Sequence, residues 1–169
     1  MQTEDLQHYL CEFLLSQKKC WVIWYSDMVD SLVVGASGKV MCFDTPELAR
    51  AYANQNAIEL SNDAPMRYDF DRVERWARRR SALRVDCVRF LAAWNMINDV
   101  LASRGGSPRF SKLDSRMNKT YDKLFYGNNL PSVAPQGKRY TPQWSRQEVG
   151  SLAQLLRVGI HELRRATSA

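Results

Sequence analysis

Two histidines, His8 and His161, and four cysteines, Cys11, Cys20, Cys42 and Cys87, are the side chains here best suited to nucleophilic or metal chemistry. The members of a Cys–His dyad need only meet in space, so distance along the chain does not forbid one. Yet no cysteine sits beside a Gly-rich or helix-opening turn that would lower its thiol pKa. Each lies instead in an apolar run, where a reduced cysteine acts as a small hydrophobe. There is no CxxC pair, no HxxH or HExxH, and no Cys/His cluster with ligand spacing. Gly35-Ala36-Ser37-Gly38-Lys39 has the outline of a phosphate loop. It is too short, lacks the hydroxyl residue after the lysine, and precedes a strand where that motif needs a helix. A hairpin turn accounts for it better. The expectation is a non-enzyme with no catalytic residue, no metal and no cofactor.

Charge offers more than nucleophiles do. The chain carries a net charge of +6, but residues 1–68 sum to −4 and residues 69–169 to +10. Such a molecule is electrically two-sided. In the first part Asp27, Asp30, Glu59 and Asp63 fall in predicted turns or strand ends. Carboxylates there can mimic a phosphate backbone for a basic protein partner, although turn geometry alone also favours aspartate. In the second part Arg72, Arg75, Arg78, Arg79, Arg80 and Arg84 form a run around a helix end. Arg75, Arg78, Arg79 and Arg80 are the candidate phosphate contacts of an alternative, nucleic-acid-binding reading. The bland account is a solvated face with cations gathered at helix C-termini. With no helix-turn-helix, RNP signature or GXXG loop behind it, nucleic acid ranks below a protein partner.

These residues need elements to hold them. Leu6, Tyr9, Leu10, Phe13 and Leu14 recur at helical spacing and predict an N-terminal helix. Cys20–Ser26 predicts a buried strand, and Ser31–Val34 with Lys39–Phe43 predicts a hairpin around Gly35–Gly38. Asp44, Pro46 and Glu47 predict the start of a helix whose apolar face is Leu48, Ala49, Tyr52 and Ala53. Ser61–Pro65 is the clearest boundary, and beyond it the pattern is helical. Phe70, Val73, Trp76 and Ala77 form one apolar face. Asp86 caps a stripe of Cys87, Leu91, Trp94, Ile97 and Leu101, and Leu113, Met117, Tyr121 and Leu124 form a third. Ser145 and Glu148 form a capping box, with Trp144 and Val149 placed as its hydrophobic staple. The expected fold is α+β within a single domain, 1–169. An N-terminal helix and small antiparallel sheet (the acidic subregion, 1–64) pack with a mostly helical basic subregion, 65–169. No apolar run is long enough to cross a membrane, and no signal peptide pattern precedes the cysteines, so a reducing cytoplasm is expected.

With Trp94-Asn95, Tyr121–Pro131 (YDKLFYGNNLP) and Gly137–Trp144 (GKRYTPQW) ahead of the capped helix, the chain resembles the immunity proteins of bacterial contact-dependent growth inhibition and related polymorphic toxin systems. The likeness spans roughly residues 65–165, with a looser one in the strand–strand–helix pattern of 20–60. It implies a cytoplasmic antitoxin that binds the toxic C-terminal domain of a cognate partner, often a nuclease, and blocks its active site or substrate path. Immunity proteins against basic nucleases are commonly acidic, whereas this chain is net basic. Either the acidic first half makes the contact or the toxin is not a basic nuclease. The family carries no fixed binding residues, so Asp27, Asp30, Glu59 and Asp63 are assigned to the partner interface from charge alone.

Overall fold

The computed structural model describes residues 6–81, 85–105, 115–133 and 138–167. Its centre is a two-stranded ribbon, β1 (Gln7–Leu15) and β2 (Lys18–Ser26), paired antiparallel from Gln7↔Ser26 to Leu15↔Lys18. Ser16 and Gln17 make the turn, with φ of 55° and 60°. Two left-handed residues suit the right-handed twist of a hairpin but favour Asn and Gly, so this pair is strained. Asp71 offsets the strain, because its two carboxylate oxygens each accept a backbone N–H, from Ser16 and from Gln17, at 2.7 Å.

β3 (Ser31–Leu32) lies on the outer edge of β2. After the helix α1 (Pro46–Gln55), β4 (Met66–Asp69) returns parallel to β1 on its other side, giving the order β3-β2-β1-β4. Single bridges lengthen both flanks, His8↔Leu60 beside β1 and Trp21↔Phe43 beside β2. The Gly35–Gly38 turn closes with Val34↔Val40 and a Gly35 N–H donated to the Lys39 carbonyl at 2.8 Å.

Two expectations are overturned. The N-terminal segment is a strand, not a helix, and the sheet is mixed rather than antiparallel. The physical reason is that β1 is central and covered on both faces. Cys11, Phe13 and Leu15 join the main core, while Leu10 and its cross-strand partner Ile23 are buried on the opposite side, where α1 lies against β2. A strand covered twice reads as a continuous apolar run, and a continuous run also satisfies helical spacing. Lys18 and Lys19, which would have ended the supposed helix, instead open β2. Glu12 interrupts the run but is buried with two cations, Lys19 at 3.0 Å and Arg67 at 3.2 Å.

Four helices build the main core: α2 (Phe70–Arg79) and α3 (Cys87–Ser103) pack on the sheet, and α4 (Ser115–Gly127) and α5 (Arg146–Thr167) pack on those helices. Their starts follow local chemistry. Asp69 caps α2, Asp86 caps α3, and Ser145 with Glu148 form the reciprocal box on α5, at 2.9 and 3.2 Å. Thr45, not Asp44, caps α1, accepting the Leu48 N–H at 3.3 Å. α2 buries Phe70, Val73, Trp76 and Ala77. α3 buries far more than one stripe, because it packs on α4, α5 and the sheet together. Gly159 is where α5 comes closest, since a Cβ there would stand 2.8 Å from Ile97. Leu113 and Arg84 lie outside the described residues.

Candidate functional site: two charged ends of one sheet

Register places the four acidic candidates at one end of the sheet. Asp27 and Asp30 lie in the connection leaving β2 at Ser26, which pairs with Gln7, the first residue of β1. Glu59 and Asp63 flank Leu60, which bridges His8 on the other side of β1, and the Ser61 N–H donates to the His8 carbonyl at 2.8 Å. Adjacent strands lie about 4.8 Å apart, so the two acidic segments are separated by roughly 10 Å across the tip of β1. Asp27, Glu59 and Asp63 are exposed, whereas Asp30 is half-buried. Local bonds hold three of them: Asp27 accepts the Met28 N–H at 2.7 Å, Asp30 accepts the Ser26 hydroxyl at 3.0 Å, and Asp63 accepts the Ser61 hydroxyl at 2.8 Å.

What the charges surround was not visible from charge. Met28 is 95% exposed and Val29 64%, with Leu6 half-exposed at the start of β1. Val29 is β-branched and sits in an apolar pair that reads as strand, so nothing in its sequence marks it as a protruding tip. Apolar side chains held out in water inside a polar rim have the make-up of a protein contact.

The opposite end, at the β1–β2 turn, is cationic. Of the alternative candidates, Arg78 is paired with Glu74 at 3.3 Å, and Arg80 sits at the left-handed C-terminus of α2, its N–H donated to the Trp76 carbonyl. Glu74 also takes two bonds from Arg164, at 3.1 and 2.6 Å, and Arg164 donates to the Ser16 hydroxyl at 2.8 Å. The hydrogen bond from Arg164 holds the Glu74 carboxyl below its ordinary range. This network ties α2 and α5 to the hairpin. Arg79 lines a cleft of about 640 Å³ between α2 and the start of α3, and Arg75 borders both this cleft and the groove beside Glu74, Arg78 and Arg164. Arg72 and Arg89 line the cleft with them. The arginines of one α2 face recur at i, i+3 and i+7, a spacing that could have been read from the sequence.

Of the nucleophile candidates, His8 lies at the acidic end itself, beside Leu60. His8 packs its ring on Tyr25, with centroids 5.5 Å apart, and burial lowers its pKa. His161 is exposed on α5. Burial pushes the Cys11 thiol up to about 12 and also raises that of Cys87. Cys20 and Cys42 do meet, with their sulfurs 3.4 Å apart. That contact lowers the pKa of Cys20 and, together with burial, raises that of Cys42. An organic disulfide reagent is therefore expected to join Cys20 to Cys42 before any other pair, the two thiols losing two hydrogens and the reagent being reduced to two thiols. Peptide mapping by mass spectrometry reads the crosslink, and its appearance between other cysteines at an equal rate would refute it. Among the described residues no three His, Cys, Asp or Glu side chains gather as a metal site, and no helix is long and apolar enough to cross a membrane.

Comparison with protein-family models, curated proteins and solved structures returns no match for this chain.

Proposed function

We propose that this chain is a cytoplasmic immunity protein that binds a cognate toxin domain, with a nuclease the favoured target, and occludes its active site or substrate path. The observation that carries the reading is the convergence of Asp27 and Asp30 with Glu59 and Asp63 at one end of the sheet, around the exposed Met28 and Val29. An acidic rim around an apolar tip suits a basic partner, with the tip as anchor and the rim steering approach. It also meets the difficulty of the net positive charge, because the cationic arginines lie at the other end of the same strand. The family resemblance of residues 65–165 supports the same reading.

The reading predicts a cognate toxin domain encoded immediately upstream, and the test is co-expression with that domain. The chain is expected to restore growth and to co-purify with that domain. Asp27→Lys, Glu59→Lys and Met28→Ala are each expected to weaken binding about tenfold or more, a loss of about 1.4 kcal/mol. Failure of the unaltered chain to rescue, or full affinity in the combined variant, would overturn the proposal.

A further inference from the structure

The arginine cleft at the opposite end has no part in that contact, and its residues ask for a ligand of their own. We propose that the cleft between α2 and the start of α3 binds a phosphate-ester anion through Arg72, Arg75, Arg79 and Arg89.

Arg72, Arg75 and Arg79 project from one face of α2 and are exposed. Among the described residues none of these three guanidinium groups has a hydrogen bond or an ion pair, although carboxylates stand nearby. Asp69 and Asp86 also line the cleft, but both are engaged as helix caps. Asp69 accepts the Arg72 backbone N–H at 2.8 Å, and Asp86 accepts that of Arg89 at 3.0 Å. Four guanidinium groups against two carboxylates leave the cleft with two uncompensated positive charges. Like charges gathered on one face repel, and a bound dianion relieves that repulsion.

Arg89 closes the cleft from the first turn of α3. Its Nη1 nitrogen is ion-paired with Asp86 at 3.3 Å, which holds the guanidinium at the cleft wall. Planar, fixed forks of N–H donors match the tetrahedral oxygens of phosphate in pairs. At a rise of about 1.5 Å per residue, the stems of Arg72, Arg75 and Arg79 spread over roughly 10 Å, room for two phosphates in succession. Trp76 and Phe90, 4.3 Å apart at their centroids, floor the cleft but are buried, so the recognition falls on phosphate rather than on a stacked base.

Phosphate esters in this arrangement come either free, as in a nucleoside diphosphate, or along a nucleic-acid strand. The full chain is titrated calorimetrically at low salt with pyrophosphate, with a nucleoside diphosphate and with a single-stranded oligonucleotide. The double variant Arg75→Gln/Arg79→Gln is compared with Arg50→Gln/Arg157→Gln, which removes equal charge elsewhere. Binding of at least one probe is expected, weakened about tenfold or more by the cleft variant and less than about twofold by the control. Saturation at one diphosphate per chain with no gain for the oligonucleotide assigns a free phosphate ligand. Tighter oligonucleotide binding with a steep salt dependence assigns a strand. No binding of any probe at millimolar concentration, or equal loss in both variants, overturns the proposal. Circular dichroism establishes that each variant is folded. The outcome is independent of toxin rescue, which uses the other end of the molecule.

Discussion

Trp94→Ala is expected to lower the free energy of unfolding by about 3–5 kcal/mol, as read from urea denaturation. Trp94 is 1% exposed in the middle of α3, the helix on which α4, α5 and the sheet all converge. Its ring meets Tyr121 of α4 edge-on, with centroids 5.3 Å apart, and the Tyr121 hydroxyl donates to Asn95 at 3.1 Å on the next residue of α3. Truncation therefore removes the transfer energy of a fully buried tryptophan and leaves a cavity whose walls belong to separate elements. For a domain whose whole stability is of the order of 5–15 kcal/mol, that is a large share of it. Trp94→Phe keeps most of the volume and should lose distinctly less. A loss below about 1 kcal/mol in the alanine variant would mean that α3 is not the hub of the core.

Asp99→Asn is expected to stabilise the protein at neutral and alkaline pH. Burial pushes the Asp99 carboxyl up to about 7, against the lowering effect of the Trp24 indole N–H, which donates to it at 3.0 Å, while Asp30 adds repulsion. Burial raises the pKa of Cys11 and of Tyr68, and the Asp99 charge adds to both shifts. In the unfolded chain the group titrates near 3.9. Between roughly pH 4 and 7 the folded protein therefore holds a proton that the unfolded chain has lost, and stability falls as pH rises through that window. Discounted for partial exposure, the loss amounts to about 2 kcal/mol. Asparagine keeps an acceptor for Trp24 without the charge, so the variant should match the parent near pH 4 and exceed it by about that amount above pH 7. Parallel stability–pH curves for the two proteins would show that Asp99 is not the group responsible.

The helices of the second half were legible because their signals are local. A capping residue and the apolar positions it precedes lie within a few turns of one another, as with Asp86 before α3 and Ser145–Glu148 on α5. Strand β1 was not legible, because what distinguishes it from a helix is cover on both faces, supplied by α1 and by helices 60 to 150 residues away. Short β4 was lost for a related reason, since Met66–Asp69 becomes a strand only by lying alongside Cys11–Leu14. Charge selected the acidic residues, but their gathering depends on register, and the exposure of Met28 and Val29 depends on the length of a turn. The cleft was half legible. The spacing of Arg72, Arg75 and Arg79 is periodic, whereas Arg89 reaches them only through the packing of α3 beside α2.

The grip of Asp71 on the Ser16–Gln17 turn also bears on the order in which the chain can fold. The carboxylate that steadies the first hairpin comes from 55 residues later in the sequence. A growing chain that has reached only Ser26 contains both strands of that hairpin but not the latch that favours its backbone, and the parallel partner β4 does not yet exist either. Local pairing is fast, but closing a loop of this length first costs entropy that the contacts recover only afterwards. The ribbon at the centre of the sheet is thus early in the chain and late in becoming secure, with its seal set when α2 swings in against the turn.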